Sequence, residues 1–96
     1  MFSMQSSSSA PRVTIQCSDM PEEMLEAAIE TAYDALKKHN SDVDVAQYIK
    51  TRLDQRFDPV WMAVVGRSFG VYVSHQSNYF AHFYLGHKAI VVFKGL

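Results

Sequence analysis

The stretch WMAVV, residues 61–65, opens the part of the sequence that decides the fold. Three further runs rich in β-branched and aromatic residues follow it, at 71–76 (VYVSHQ), 79–85 (YFAHFYL) and 89–93 (AIVVF). Residues that favour turns separate the runs: Gly66 and Gly70, then Ser77-Asn78, then Gly86-His87. We therefore predict four strands in an antiparallel sheet, with a tight two-residue hairpin loop in which Gly86 comes first.

Two amphipathic helices are predicted before these strands. In the first, apolar residues recur at helical spacing, namely Leu25, Ala28, Ile29, Ala32 and Leu36. Asp19 is its predicted N-terminal cap, with Glu22 completing a box-like arrangement and Pro21 tolerated only in the first turn. The helix should end near His39-Asn40.

The second helix should be capped by Ser41 or Asp42. Its apolar stripe is spaced by fours and consists of Val45, Ile49, Leu53 and Phe57. Asp58-Pro59 should end it, because the residue before a proline is pushed towards extended geometry.

Upstream of the helices, residues 13–16 alternate apolar and polar side chains, which indicates a short strand. Residues 1–12 contain four consecutive serines at 6–9 and predict a disordered tail. One domain, 13–96, remains. We predict the α+β class: a short N-terminal strand, two helices and then a four-stranded antiparallel sheet with the helices on one face.

Composition and charge exclude several classes of function. The net charge is -1, all ten acidic residues lie between Asp19 and Asp58, and only Arg67, Lys88 and Lys94 are charged after Pro59. Nucleic-acid binding is not expected, since it requires a basic stripe. No apolar run approaches the roughly 20 residues of a membrane-spanning helix, so no membrane insertion is expected. The single Cys17 fits a reducing, cytoplasmic compartment.

A catalytic alternative rests on residues 66–70, GRSFG, which match the G-x-S-x-G pattern of hydrolases with Ser68 as nucleophile. That mechanism needs a helix after the turn and a later acid to orient a histidine. Here a strand is predicted to follow, and no Asp or Glu occurs after Ser68. The four histidines match no standard zinc spacing. We expect no catalysis, metal or cofactor.

Phe80, His82 and Tyr84 share one face of their strand by the period of two. From the alternation alone, this face is either ordinary sheet packing or an aromatic trough for a ligand.

The runs WMAVVGRSFG (61–70), VYVSH (71–75), FAHFYLG (80–86) and AIVVFK (89–94) resemble the eight-kilodalton dynein light chains. With the helical portion from Asp19, the likeness covers everything except the tail. The resemblance implies a non-catalytic homodimer in which one strand of each chain crosses to the partner's sheet. It also implies two grooves that hold extended partner segments, often containing Thr-Gln-Thr, by strand addition. Such proteins act as dynein motor subunits and dimerisation hubs, with the dynein intermediate chain among their partners, in the cytoplasm at the cytoskeleton.

Carried over by position, the resemblance assigns residues 69–75 to the crossing strand. The implied peptide-binding residues are Asp42, Val43, Arg67, Ser68, Phe69, Gly70, Val71, Tyr72, Val73, Ser74, His75, Phe80, His82, Tyr84 and Ala89. The implied dimer-interface residues are Lys50, Trp61, Met62, Phe69, Tyr72 and Ser74.

Three positions depart from the family pattern. Met62 replaces a histidine whose protonation splits the dimer, so we predict a dimer that mild acid does not dissociate through this site. Asp42-Val43 replaces Glu-Lys at the start of the second helix, and His82 replaces a tyrosine of the groove. Peptide preference should therefore differ from that of relatives. A diverged paralogue that serves partners unrelated to the motor is the alternative within this class.

Overall fold

The computed structural model describes residues 12–67 and 79–95. The elements are β1 (Val13–Ser18), α1 (Glu22–Lys38), α2 (Asp42–Phe57), β2 (Trp61–Gly66), β3 (Phe80–Leu85) and β4 (Lys88–Lys94). The predicted strand at 71–76 and the predicted tail, apart from Arg12, lie outside the described residues. Within residues 12–67 and 79–95, neither α1 nor α2 is long and apolar enough to cross a bilayer.

Within the described ranges the strands form one antiparallel sheet in the order β1-β3-β4-β2. The prediction of an α+β fold with two helices and an antiparallel sheet is confirmed. The N-terminal strand, whose pairing partner the sequence left unassigned, joins this sheet: β1 pairs with β3, from Val13 opposite Leu85 to Ser18 opposite Ala81. This pairing satisfies backbone groups that β3 would otherwise expose at an edge.

The β3–β4 hairpin has the predicted two-residue loop. Leu85 pairs with Lys88, which leaves Gly86 and His87 as the connection. Gly86 has a φ of 62°, a value that L side chains rarely adopt. Glycine at this position therefore avoids the strain that a side chain would add to the turn.

Helix α1 buries a row of alanines, Ala28, Ala32 and Ala35, that are fully covered. The predicted cap is wrong: Pro21 occupies the N-cap position, and no side chain bonds the first turn. Asp19 lies two residues too early to reach it. Its Oδ1 instead accepts a hydrogen bond from Phe80 N at 2.9 Å, and its own N–H donates to Phe80 O at 3.0 Å. Asp19 therefore fixes the start of β3.

Helix α2 is capped as predicted by Ser41, whose Oγ accepts a hydrogen bond from Asp44 N at 3.1 Å. Its stripe residues Val45, Ile49 and Leu53 are buried. Phe57, the last helical residue, lies with its ring centroid 6.2 Å from that of Trp61. Asp58 then adopts a φ of 71°, and the chain turns into β2.

The core lies between the helices and one face of the sheet, which we call the helix face. Its fully buried side chains in the strands are Trp61, Ala81, Phe83, Ile90 and Val92. Burying a large apolar side chain contributes roughly 1.5–3 kcal/mol each. This face therefore fixes the positions of β2, β3 and β4, on which the candidate site depends.

Candidate functional site

The opposite face of the sheet, which we call the second face, carries apolar and aromatic side chains in register. One row runs across three strands as Phe80, Phe93 and Met62, and the next runs as His82, Val91 and Val64. Residues that are paired directly across an antiparallel ladder project to the same side. The second face is therefore as apolar as many cores, although the helix side chains pack on the other face.

Exposure on the second face rises towards β2. Val91 of the central strand β4 is fully buried, whereas Met62 and Val64 of β2 are 42% and 46% exposed. Val60, just before β2, is 53% exposed. Among the strands that the structure describes, β2 has a single neighbour, β4. An apolar surface thus continues to a strand edge that offers backbone N–H and C=O groups.

The structure places four of the implied groove residues together on the second face: Phe80, His82, Tyr84 and Ala89. The His82 and Tyr84 rings lie side by side, with centroids 5.6 Å apart and planes tilted by 32°. Ala89 pairs with Tyr84 in the ladder and is fully buried. These positions form a half-buried aromatic surface beside a small side chain, which suits shape recognition of an extended chain.

Met62 lies on the same face, but Trp61 does not. Trp61 is fully buried on the helix face, between the rings of Phe57 and Tyr79 at 6.2 and 6.1 Å. Within the described ranges its buried Nε1 has no hydrogen-bond partner. Trp61 can therefore act on the second face only by holding the start of β2.

The carboxylate of Asp54 fixes the start of β2 through two contacts. Asp54 Oδ1 accepts a hydrogen bond from Trp61 N at 2.7 Å, and Asp54 Oδ2 pairs with Lys50 Nζ at 2.6 Å. Burial raises the pKa of Asp54, but the hydrogen bonds from Lys50 and from Trp61 N outweigh it, so the net pKa is lowered. Lys50, implied at the dimer interface by position, is thereby tied to β2 through Asp54.

At the other end of the sheet, the first turn of α2 meets the start of β4. Asp42 Oδ1 lies 2.7 Å from Lys88 Nζ, while the adjacent Val43 is 74% exposed. Lys88 was not predicted as a site residue. No sequence signal pointed to it, because 46 residues separate the two partners. Arg67, also implied in the groove, is exposed and directly follows β2.

A second polar cluster, also absent from the sequence prediction, joins the two helices. Tyr48 Oη donates to Asp34 Oδ2 at 2.5 Å and accepts from Arg52 Nη2 at 2.9 Å. These residues line a cleft of about 310 Å³ with Glu30, Thr31 and Tyr33. The hydrogen bond from Tyr48 is the main cause that lowers the pKa of Asp34, and the hydrogen bond that Lys38 Nζ donates to Tyr48 Oη is the main cause that raises the pKa of Lys38. The cluster holds α1 against α2.

The remaining implied site residues, from Ser68 to His75, lie outside the described residues. In the ranges 12–67 and 79–95, no three His, Cys, Asp or Glu side chains are grouped as metal ligands would be.

Comparisons with known proteins give one family match and a shared fold. The family model described as dynein light chain type 1 matches residues 12–95. Two similar solved structures are of the dynein light chain-like domain of a Fasciola hepatica calcium binding protein, FhCaBP2. The native form is 21% identical, with a TM-score of 0.78 over 90% of this chain and 93% of that chain. The mercury derivative is also 21% identical, with a TM-score of 0.76 over 88% and 92%. At this identity the likeness shows a shared fold.

Proposed function

This chain belongs to the dynein light chain family, and we propose that it is a non-catalytic adaptor that works as a homodimer and holds short extended segments of partner proteins. The observation that carries the proposal is the apolar second face, which continues without a break to the edge strand β2. A folded chain rarely leaves apolar side chains such as Met62 and Val64 exposed along a strand edge unless another chain covers them.

Dimerisation accounts for this surface in two ways. A crossing strand from the partner, residues 69–75, would add to the edge of β2 and complete its backbone hydrogen bonds. The same association would cover Met62 and Val64, which are about half exposed in one chain. A chain of 96 residues has a small core, and dimerisation adds apolar burial that one copy cannot supply.

The partner segment would bind between the crossing strand and α2. Main-chain hydrogen bonds of an added strand supply affinity, and pockets for alternate side chains supply selectivity. Phe80, His82, Tyr84 and Ala89 would form those pockets. His82 adds a polar group to an otherwise apolar surface, and Asp42 and Val43 lie at the first turn of α2. Two symmetric grooves would clamp two copies of a paired partner, which raises avidity without new contacts.

We further propose that the partners include the dynein intermediate chain, and that the protein acts in the cytoplasm at the cytoskeleton. Family membership and the fold support this assignment. A role in the motor is more specific than adaptor function, since an adaptor with the same groove could serve other paired proteins.

The test is fluorescence anisotropy with two labelled peptides, one containing Thr-Gln-Thr and one with the same residues scrambled. We expect the first to bind in the micromolar range and the scrambled one at least about tenfold more weakly, a difference of roughly 1.4 kcal/mol. The variant Ile15→Asp changes β1, at the edge of the sheet opposite β2, and should bind the first peptide as the wild type does. Failure of both peptides, and of a random library of extended peptides, would reject the function.

A further inference from the structure

One end of the sheet brings together basic residues from all four described strands. We call them the strand-end cluster: Arg12 before β1, Arg67 after β2, His87 in the β3–β4 loop and Lys88 at the start of β4. Backbone pairing fixes their positions, because Gly86 N donates to Arg12 O at 2.8 Å and Gly66 pairs with Ala89. Neighbouring strands lie about 4.8 Å apart, so the cluster spans roughly 14 Å from β1 to β2.

The described fold uses only part of this positive charge. Lys88 has an acidic partner, since its Nζ lies 2.7 Å from Asp42 Oδ1. Arg12, Arg67 and His87 are exposed, and among residues 12–67 and 79–95 neither arginine forms an ion pair. Ion pairing within the described fold therefore accounts for neither arginine.

The helices give the molecule the same polarity. Helix α1 finishes at this end of the sheet, with Lys37 and Lys38 exposed in its last turn. The opposite end carries Glu22 and Glu23 in the first turn of α1 and Asp58 after α2. The sequence has no Asp or Glu after Asp58, so β2, β3 and β4 bring no carboxylate to the cluster. An acidic ligand would be attracted to one end of the molecule and repelled from the other.

We propose that the strand-end cluster binds an acidic, extended segment of a partner protein. A width of roughly 14 Å corresponds to about four residues of extended chain, so carboxylates within one short segment can each reach a cation. Arginine suits this role, because its planar guanidinium donates two parallel hydrogen bonds to a carboxylate. The inference goes beyond the proposed function, since it needs neither a crossing strand nor a second copy of the chain.

A protein segment fits this end better than an anionic membrane surface does. Asp42 and Asp44 lie in the first turn of α2, beside the cations of the cluster. A membrane would present negative charge to these carboxylates as well as to the cations. A segment can place its acidic groups opposite the cations alone.

The experiment measures the fluorescence anisotropy of three labelled peptides, in which Gly alternates with Glu, with Gln or with Lys. Only the Glu peptide should bind at low ionic strength. Its affinity should fall at least about tenfold as the ionic strength rises from about 0.01 M to about 0.1 M, because the screening length then falls from about 30 Å to about 10 Å.

Two double variants separate a local effect from one of net charge. Arg12→Gln with Arg67→Gln should weaken binding of the Glu peptide about fivefold or more, as expected for the loss of two exposed charge contacts. Arg56→Gln with Lys94→Gln makes the same change of net charge at the opposite end, where α2 and β4 finish. This control should change the affinity less than about twofold.

Absence of binding by the Glu peptide, or equal weakening by the two double variants, would overturn the inference. Displacement of the Glu peptide by an excess of the Thr-Gln-Thr peptide would also overturn it, since the acidic peptide would then occupy the groove. Cosedimentation with phosphatidylserine–phosphatidylcholine vesicles, without binding of the Glu peptide, would assign this end to a membrane instead. A protein that binds the Glu peptide but no Thr-Gln-Thr peptide would support this inference while the proposed function fails.

Discussion

The two edges of the described sheet, β1 and β2, expose similar amounts of apolar side chain but differ in backbone regularity. Val13 and Ile15 of β1 are 46% and 49% exposed, close to the values for Met62 and Val64 of β2. The β1 ladder shifts register between Ile15 and Cys17, whereas β2 pairs with β4 through six consecutive residues. A bulge makes an edge a poor template for another strand, and a regular edge is a good one.

The two edges also differ in what lies beside their exposed side chains. Val13 and Ile15 pair with Leu85 and Phe83, so they project from the helix face at its margin. Val64 pairs with Val91, so it continues the apolar second face. Exposed apolar area alone does not indicate where a partner binds. Continuity with a larger apolar surface and a regular strand edge does.

The largest expected effect comes from a charge on the β2 edge. Val64→Asp would place a carboxylate in the proposed dimer contact, twice per dimer, and burying an unpaired charge is costly. We expect the dissociation constant of the dimer to rise at least about 100-fold, or roughly 2.7 kcal/mol. Sedimentation equilibrium measures this directly.

Ile15→Asp is the matched control, with the same chemistry at a similarly exposed site on the bulged edge. It should leave the dimer intact. If Val64→Asp and Ile15→Asp weaken the dimer equally, the β1 and β2 edges do not differ in their ability to bind a second chain.

A smaller effect is expected from loosening the start of β2 or of β3. Asp54→Ala removes the acceptor of Trp61 N–H and should lower the free energy of unfolding by about 1–2 kcal/mol at pH 7. Because the folded-state pKa of Asp54 is lowered, its contribution is complete above the unfolded carboxyl pKa of about 4 and is lost as the pH falls through the lower folded value. In urea titrations, the difference between wild type and variant should therefore shrink as the pH falls below about 4.

Asp19→Ala is the counterpart of this variant, since Asp19 holds Phe80 N at the start of β3. Its unfolding cost should be similar, but only Asp54→Ala should also weaken the dimer, because only Asp54 fixes β2. If the dissociation constant of the dimer is unchanged in Asp54→Ala, the start of β2 does not contribute to dimerisation.

The smallest change at neutral pH is expected from Met62→His. A neutral imidazole can be accommodated at pH 7, but covering it in the dimer penalises protonation, so acid favours the monomer. The variant should dissociate as the pH falls through about 6.5, while the wild type stays dimeric near pH 5. Velocity sedimentation at both pH values distinguishes them. Dissociation of the wild type over the same pH range would contradict the prediction.

Local signals in the sequence predicted most of the fold. The spacing by fours in α2, the Ser41 cap, the Gly86-His87 loop and the strand runs at 61–65, 79–85 and 89–93 each depend on residues close together in the chain. The errors involve distant partners. Asp19 had a capping residue's identity, yet it bonds to Phe80, 61 residues away. Likewise, a short alternating run at residues 13–16 does not reveal which strand it pairs with.

The candidate site was predictable only in part for the same reason. Alternation placed Phe80, His82 and Tyr84 on one face, but it left open whether that face was core or surface. The structure shows that the helices pack on the other face. The Lys88–Asp42 pair and the Tyr48 cluster join separate elements and have no local pattern. The assignment of residues 69–75 to a crossing strand came from the family resemblance and stays a prediction.

Native mass spectrometry of the protein with a Thr-Gln-Thr peptide tests the central claim most directly, because one spectrum reports both the number of chains and the number of bound peptides. A complex of two chains and two peptides is predicted, with Val64→Asp giving single chains that bind little or no peptide. A wild-type protein that stays a single chain at micromolar concentration, or a dimer that takes up no peptide, would contradict the account.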